Sequence, residues 1–174
     1  IAQELRAEGR RPRWRRALLP HPWQPVLHGF WIREFAVRGR LATEALGWRW
    51  RSWFDDRQLA ALKKEHGAHF TNIPDGFFVI TNEATGKDFP HFLEIDLGTQ
   101  TVAARSAHRP DWRGKIEGYL RYLDRHFREE FGVKSLPIIL TVTESERRLE
   151  HLLAATAQSG GGGCRGPGQP RALD

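Results

Sequence analysis

Phe92-Leu93-Glu94-Ile95-Asp96-Leu97-Gly98-Thr99 sets two carboxylates into a run that otherwise reads as buried strand. Side chains alternate along a strand, so Glu94 and Asp96 share one face with Phe92, while Leu93, Ile95 and Leu97 occupy the other. Neighbouring like charges on one face repel unless a cation or basic partners compensate them. The competing reading is an edge strand whose acidic face is simply wet. Upstream, Asp75 follows Pro74 at the mouth of a second strand over 77–81, and the segment 82–88 between the two strands is rich in turn formers. A hairpin therefore brings Asp75 towards Glu94 and Asp96. Such an oxygen-rich group suits Mg²⁺ or Mn²⁺.

Downstream, Trp112, Ile116, Leu120, Leu123, Phe127 and Phe131 recur at steps of three and four, which predicts one helix over 111–131 with Asp111 as N-cap and Gly132 as stop. Beside that apolar face, Lys115, Tyr119, Tyr122 and His126 form a polar stripe. Lys115 is placed to stabilise developing negative charge or to lower the pKa of a metal-bound water; its alternative is a surface lysine at a helix start. The apolar run 136–142 is too short for a helix and reads as a strand buried on both faces. Thr143 and Glu146 then form a capping-box pattern before a last helix over 147–157.

Working upstream, Leu27, Phe30, Trp31 and Phe35 predict a first helix over 25–38, stopped by Gly39. Alternation predicts a strand over 48–54, and 57–66 reads as a short polar helix or a loop. The order is helix, strand, strand, strand, helix, strand, helix, an α/β fold around a central mixed sheet.

Charge divides the 174 residues unevenly. The net +6 lies wholly within residues 1–57, and the remainder is balanced. Its densest part is Arg10, Arg11, Arg13, Arg15 and Arg16 around Trp14, followed by Pro20, Pro22 and Pro25. These arginines can neutralise phosphates and Trp14 can stack on a base; the competing reading is a solvated basic linker. Residues 1–24 are thus taken as a basic Pro/Arg-rich linker, 25–157 as the core and 158–174 as a Gly-rich tail outside the fold. The single cysteine, Cys164, falls in that tail and excludes an internal disulfide or a cysteine zinc cluster. The absence of Met, with Ile at position 1, leads to the expectation that a translated start lies upstream. No run approaches the roughly 20 apolar residues of a membrane span, and no signal peptide is evident, so a cytoplasmic protein is expected. The eight histidines show no paired spacing and are assigned to no metal. A P-loop is lacking. Trp23, Trp31, Trp48, Trp50 and Trp53 are read chiefly as core, the alternative being an exposed docking patch.

Together these residues resemble the PD-(D/E)xK nuclease-like fold, whose core runs helix, three strands, helix, strand. Over 25–157 the chain is similar to the replication-relaxation family of plasmid and mobile-element proteins. The resemblance rests on Leu27-His28, Pro74-Asp75-Gly76, Phe92 to Thr99 as quoted above, Lys115 with Tyr119, and Leu140-Thr141-Val142-Thr143-Glu144-Ser145-Glu146-Arg147. It implies a restriction-endonuclease-like core, a winged-helix region upstream, and a DNA-associated role in plasmid replication, relaxation or mobilisation. It further implies that Asp75 and Glu94 hold a divalent metal. The lysine expected two residues after the glutamate is Asp96 here, so either Lys115 substitutes from the helix or the site does not cut. Three functions follow as expectations. They are a DNA-associated replication or mobilisation factor, an active Mg²⁺-dependent endonuclease acting through Asp75, Glu94 and Lys115 with Asp96 as a further ligand, and an interaction module of a replication or transfer complex that leaves DNA untouched.

Overall fold

The computed structural model describes residues 23–70, 72–98 and 111–159. The basic cluster Arg10 to Arg16 and the tail from 160 onward lie outside these described residues. Four strands, β1 (Trp48–Asp55), β2 (Gly76–Asn82), β3 (Lys87–Asp96) and β4 (Ile138–Thr143), form one mixed sheet in the order β1-β2-β3-β4. β1, β2 and β3 pair antiparallel in sequence, and β4 joins β3 in parallel. Helix α1 (Trp23–Ala45) covers one face; α2 (Asp56–His66), α3 (Trp112–Arg125), α4 (Phe127–Phe131) and α5 (Glu146–Gln158) complete the fold. The protein is therefore α/β, with the hairpin at its centre. Among the described residues no helix is long and apolar enough to cross a membrane.

α1 buries the side that carries His28, Ile32, Phe35, Gly39 and Thr43, at helical steps of four, three, four and four. It runs straight through Gly39, where a stop was expected. A Cβ there would lie 3.0 Å from the Trp50 ring, so the glycine serves close packing of helix on strand and the chain turns only at Gly47, with φ 71°. The opposite side presents Val26, Phe30, Val37 and Leu41 to solvent, and Trp23 is 83% exposed. The tryptophans thus do not share one fate. Trp112 is buried, and Trp50 and Trp53 pack on the cluster of Ile32, Phe78, Leu93 and Ile95, but Trp23 and Trp31 are exposed.

β1 departs from simple alternation. A bulge between Trp50 and Ser52 puts Trp50 opposite Ile80 and Trp53 opposite Phe78, so both indoles lie on the α1 side, while Phe54 turns to the other core. Trp53 then lies over the start of β2, where a Cβ on Gly76 would come within 2.7 Å of its ring. Next, the segment read as a helix or loop is α2, capped reciprocally by Asp55 and Gln58. Leu59 from α2 joins Phe70, Phe77, Val79, Phe92, Tyr119, Tyr122 and Phe127 in the second core. Pro90 occupies the part of β3 that, among the described residues, has β2 alone as strand neighbour, where a missing donor is tolerated.

Four expectations on the C-terminal side need correction. The single helix over 111–131 breaks at His126, with φ −125°, into α3 and α4; the break turns both Phe127 and Phe131 onto Phe77 and Phe92. β4 is an edge strand, not one buried on both faces, and Ile138 and Val142 are exposed on it. The cap of α5 is Ser145, whose hydroxyl accepts from the Arg148 amide, because Thr143 is still paired in β4 opposite Asp96. Gln158, expected in the tail, closes α5.

Candidate functional site

β3 lies between β2 and β4, so its acidic residues sit in the middle of the sheet and not on a wet edge. Phe92, Glu94 and Asp96 face the α3 and α5 side, as alternation requires, and Leu93 and Ile95 face α1. Glu94 is 2% exposed and Asp96 5%. Buried carboxylates need partners, and each has found its own.

Glu94 is held from α3. Lys115 Nζ donates to Glu94 Oε2, and the Tyr119 hydroxyl donates to Oε1. The helical step of four places both donors on one stripe above the strand. The Lys115 side chain is 18% exposed, so it keeps some contact with solvent. Burial pushes the Glu94 carboxyl up to about 7, with the Lys115 charge opposing it and the Asp75 charge adding to it. The Tyr119 phenol is likewise raised by burial and by Glu94.

Asp75 precedes β2 and is held from the other face. Its amide donates to Leu93 O at 3.0 Å, and its Oδ2 accepts from the Ile95 amide at 2.7 Å. His28 Nε2, from the buried side of α1, lies 3.2 Å from Asp75 Oδ2 and 3.0 Å from Ile95 O. Both partners are acceptors, so Nε2 carries the proton. The hydrogen bond to Asp75 raises the His28 pKa above its ordinary value against the opposing effect of burial. The charges of Asp75 and Lys115 are felt at both His28 and Glu94, so His28, Asp75, Glu94, Lys115 and Tyr119 form one electrostatic group.

Asp96 is taken up elsewhere. Arg148 from α5 reaches it with two donors, Nε to Oδ2 at 2.5 Å and Nη2 to Oδ1 at 3.1 Å, and the Gly98 amide adds a third at 3.2 Å. Of the residues singled out in the sequence, Lys115 pairs with Glu94, Asp75 bonds to His28 and the Ile95 amide and reaches Glu94 through its charge, and Asp96 is paired with Arg148. His28 and Arg148 were not selected as site residues. His28 had a signal, a polar residue in register with the apolar positions Ile32 and Phe35, whereas nothing local marks Arg148 among the charged residues around it.

Glu94 gives a pH prediction with a defined sign. Its folded pKa lies above the ordinary 4.5, so between about 4.5 and 7 the folded state holds the proton that the unfolded state has released. Stability contributed by this group is complete below that window and falls as pH rises through 7, by on the order of 3 kcal/mol. Urea unfolding from pH 4 to 8 should show a steeper decline for wild type than for Glu94→Gln; parallel profiles would refute it.

A cleft of about 1020 Å³ opens beside β1 and α4, floored by Phe54, Phe70 and Phe77 and rimmed by Arg51, Lys87 and Lys134. It does not include Asp75, Glu94 or Lys115. Compared with family models, curated proteins and solved structures, the chain matches none.

Proposed function

We propose that the chain is a DNA-associated protein of the replication-relaxation type, built on a nuclease-like core in which Asp75, Glu94 and Lys115 serve phosphodiester hydrolysis. The observation that carries this reading is the ion pair of Lys115 with Glu94. It brings a lysine from α3 to the carboxylate whose own strand offers Asp96 where the motif lysine would stand. Support also comes from the sheet order. Helix, three antiparallel strands, helix and a parallel fourth strand follow the core that the resemblance implies, with α2, α4 and α5 as additions.

On this reading Asp75 and Glu94 offer their oxygens to a small hard cation. Asp75 Oδ1 has no hydrogen-bond partner among the described residues, and each Glu94 oxygen accepts one hydrogen bond and keeps a lone pair. Two carboxylates match the way Mg²⁺ or Mn²⁺ is held while keeping several waters. Asp96, bound through both oxygens to Arg148, does not fit as a further ligand in this arrangement. The cation, when bound, supplies charge stabilisation at a phosphoryl oxygen and a bound water of lowered pKa. Within the chain, Tyr119 fixes the orientation of Glu94, His28 and the Ile95 amide fix Asp75, and Lys115 directs positive charge at the oxygens where charge develops. Arg10 to Arg16 with Trp14 would track the backbone of the DNA.

One observation favours a second reading, a core that binds DNA without cutting it: Lys115 and Arg148 already compensate the two buried carboxylates internally. Incubation of supercoiled plasmid with the protein and Mg²⁺ or Mn²⁺ is expected to give nicked or linear product, lost in Asp75→Asn. Intact plasmid with retention that weakens as salt rises would support the second reading. With neither cleavage nor retention, the DNA proposal fails and the interaction module is left.

A further inference from the structure

On the far side of Tyr122 from the Glu94 stripe, the fold assembles three side chains that the sequence keeps far apart. His69 follows α2, His126 closes α3, and Glu130 lies in α4. His69 Nδ1 is 2.8 Å from Glu130 Oε1. The His69 and His126 rings stack with centroids 4.0 Å apart and planes 8° from parallel, which holds the two imidazoles together. One ligand atom from each of the three residues falls within 4.8 Å of the others. Bonds of about 2 Å around a zinc-sized ion set ligand atoms roughly 3.4 Å apart, so modest side-chain movement closes the set.

We propose that His69, His126 and Glu130 bind a borderline transition metal, Zn²⁺ or Co²⁺ in class, at a site separate from the Asp75–Glu94 group. Two imidazoles and one carboxylate are the donors that select such ions over Mg²⁺. The carboxylate is prepared for the role. Its second oxygen accepts from the Tyr122 hydroxyl at 2.7 Å, and the His69 amide donates to Oε1 at 2.8 Å, the outer hydrogen bonds that orient metal ligands. Although burial pushes Glu130 up, the His69 amide, the Tyr122 hydroxyl and the His69 ring together hold it below its ordinary value, leaving it ionised at neutral pH. The His69 side chain is 62% exposed, which gives the ion an entry path and leaves room for water to complete its coordination. Glu130 also lines the cleft beside β1 and α4, so the ion would stand at the cleft's border. Bound there, it would tie the segment that leads to Asp75 to the junction of α3 and α4.

The test is titration of the full chain with Co²⁺, followed by visible absorption, and with Zn²⁺ by calorimetry, with millimolar Mg²⁺ present throughout to occupy any hard-ion site. One equivalent is expected to bind. His69→Ala and His126→Ala, both changes at accessible rings, should abolish that equivalent while far-UV circular dichroism stays unchanged. Tyr122→Phe, which keeps the ring and removes only the hydroxyl, should weaken affinity by about 10–100-fold. Absence of a bound equivalent in wild type overturns the proposal, as does an equivalent that survives both histidine substitutions.

Discussion

Arg148→Met is expected to destabilise the protein by roughly 3–5 kcal/mol, the penalty for leaving a buried carboxylate without its counter-charge. Asp96 is 5% exposed and receives both hydrogen bonds of the Arg148 fork. With Met in place, the Gly98 amide is the donor that remains to it among the described residues. Removing the charge as well should return most of the loss, because a neutral side chain of the same shape needs no cation. Urea unfolding of Arg148→Met, Asp96→Asn and the double variant at pH 7 measures the coupling. A loss under 1 kcal/mol for the single arginine variant would show that water reaches Asp96 and that the pair is not structural. This result also bears on the site, since an Asp96 committed to α5 is withheld from any cation at Asp75 and Glu94.

On the proposed hydrolytic reading, Lys115→Met should lower the rate of plasmid nicking by about 10²–10³, the range for removing one positioned donor from a charge-stabilising site. Two effects act in the same direction. The ammonium no longer faces the developing charge, and Glu94 loses the strongest influence opposing its burial, so its pKa moves above the value of about 7 it has beside the lysine. The activity profile should therefore shift to higher pH as well as fall in height. A merely structural lysine would reduce yield or stability without moving that profile. Activity within threefold of wild type, at an unshifted pH, would remove Lys115 from the chemistry.

What could be read from the chain follows the range of the forces involved. The alternation of Phe92, Glu94 and Asp96 against Leu93, Ile95 and Leu97 is a local property, and it placed the two acids on one face. The same holds for the hairpin, where Gly86 has φ 66° and Asn82 caps the turn, and for the Asp111 cap of α3. Readings failed where a distant group decided the matter. Gly39 looks like a helix stop until Trp50 is laid across it. The bulge in β1 is invisible in a sequence whose tryptophans alternate well enough without it. His126 breaks a helix whose apolar steps continue unchanged, because Phe127 and Phe131 gain contact with the sheet by the turn. Buried strand and edge strand share one composition, and 136–142 was assigned to the wrong one. In the site, Lys115 was legible from helical spacing. The partner of Asp96 is not legible there, because Arg148 arrives 52 residues later.

One oxygen of Asp75 has a consequence for how any variant there must be interpreted. The ladder of β2 with β3 begins with the Asp75 amide donating to Leu93 O and Gly76 opposite Leu93, and Asp75 Oδ2 accepts the Ile95 amide, adding a rung made by a side chain. The carboxylate is part of the sheet's scaffolding as well as a prospective ligand. Alanine at this position strips an acceptor from a buried amide and confounds folding with chemistry, whereas asparagine retains the rung. The Ile95 amide is correspondingly a built-in spectroscopic probe. Whatever protonates, displaces or coordinates Asp75 must register in that one N–H resonance, whether or not the protein ever turns over a substrate.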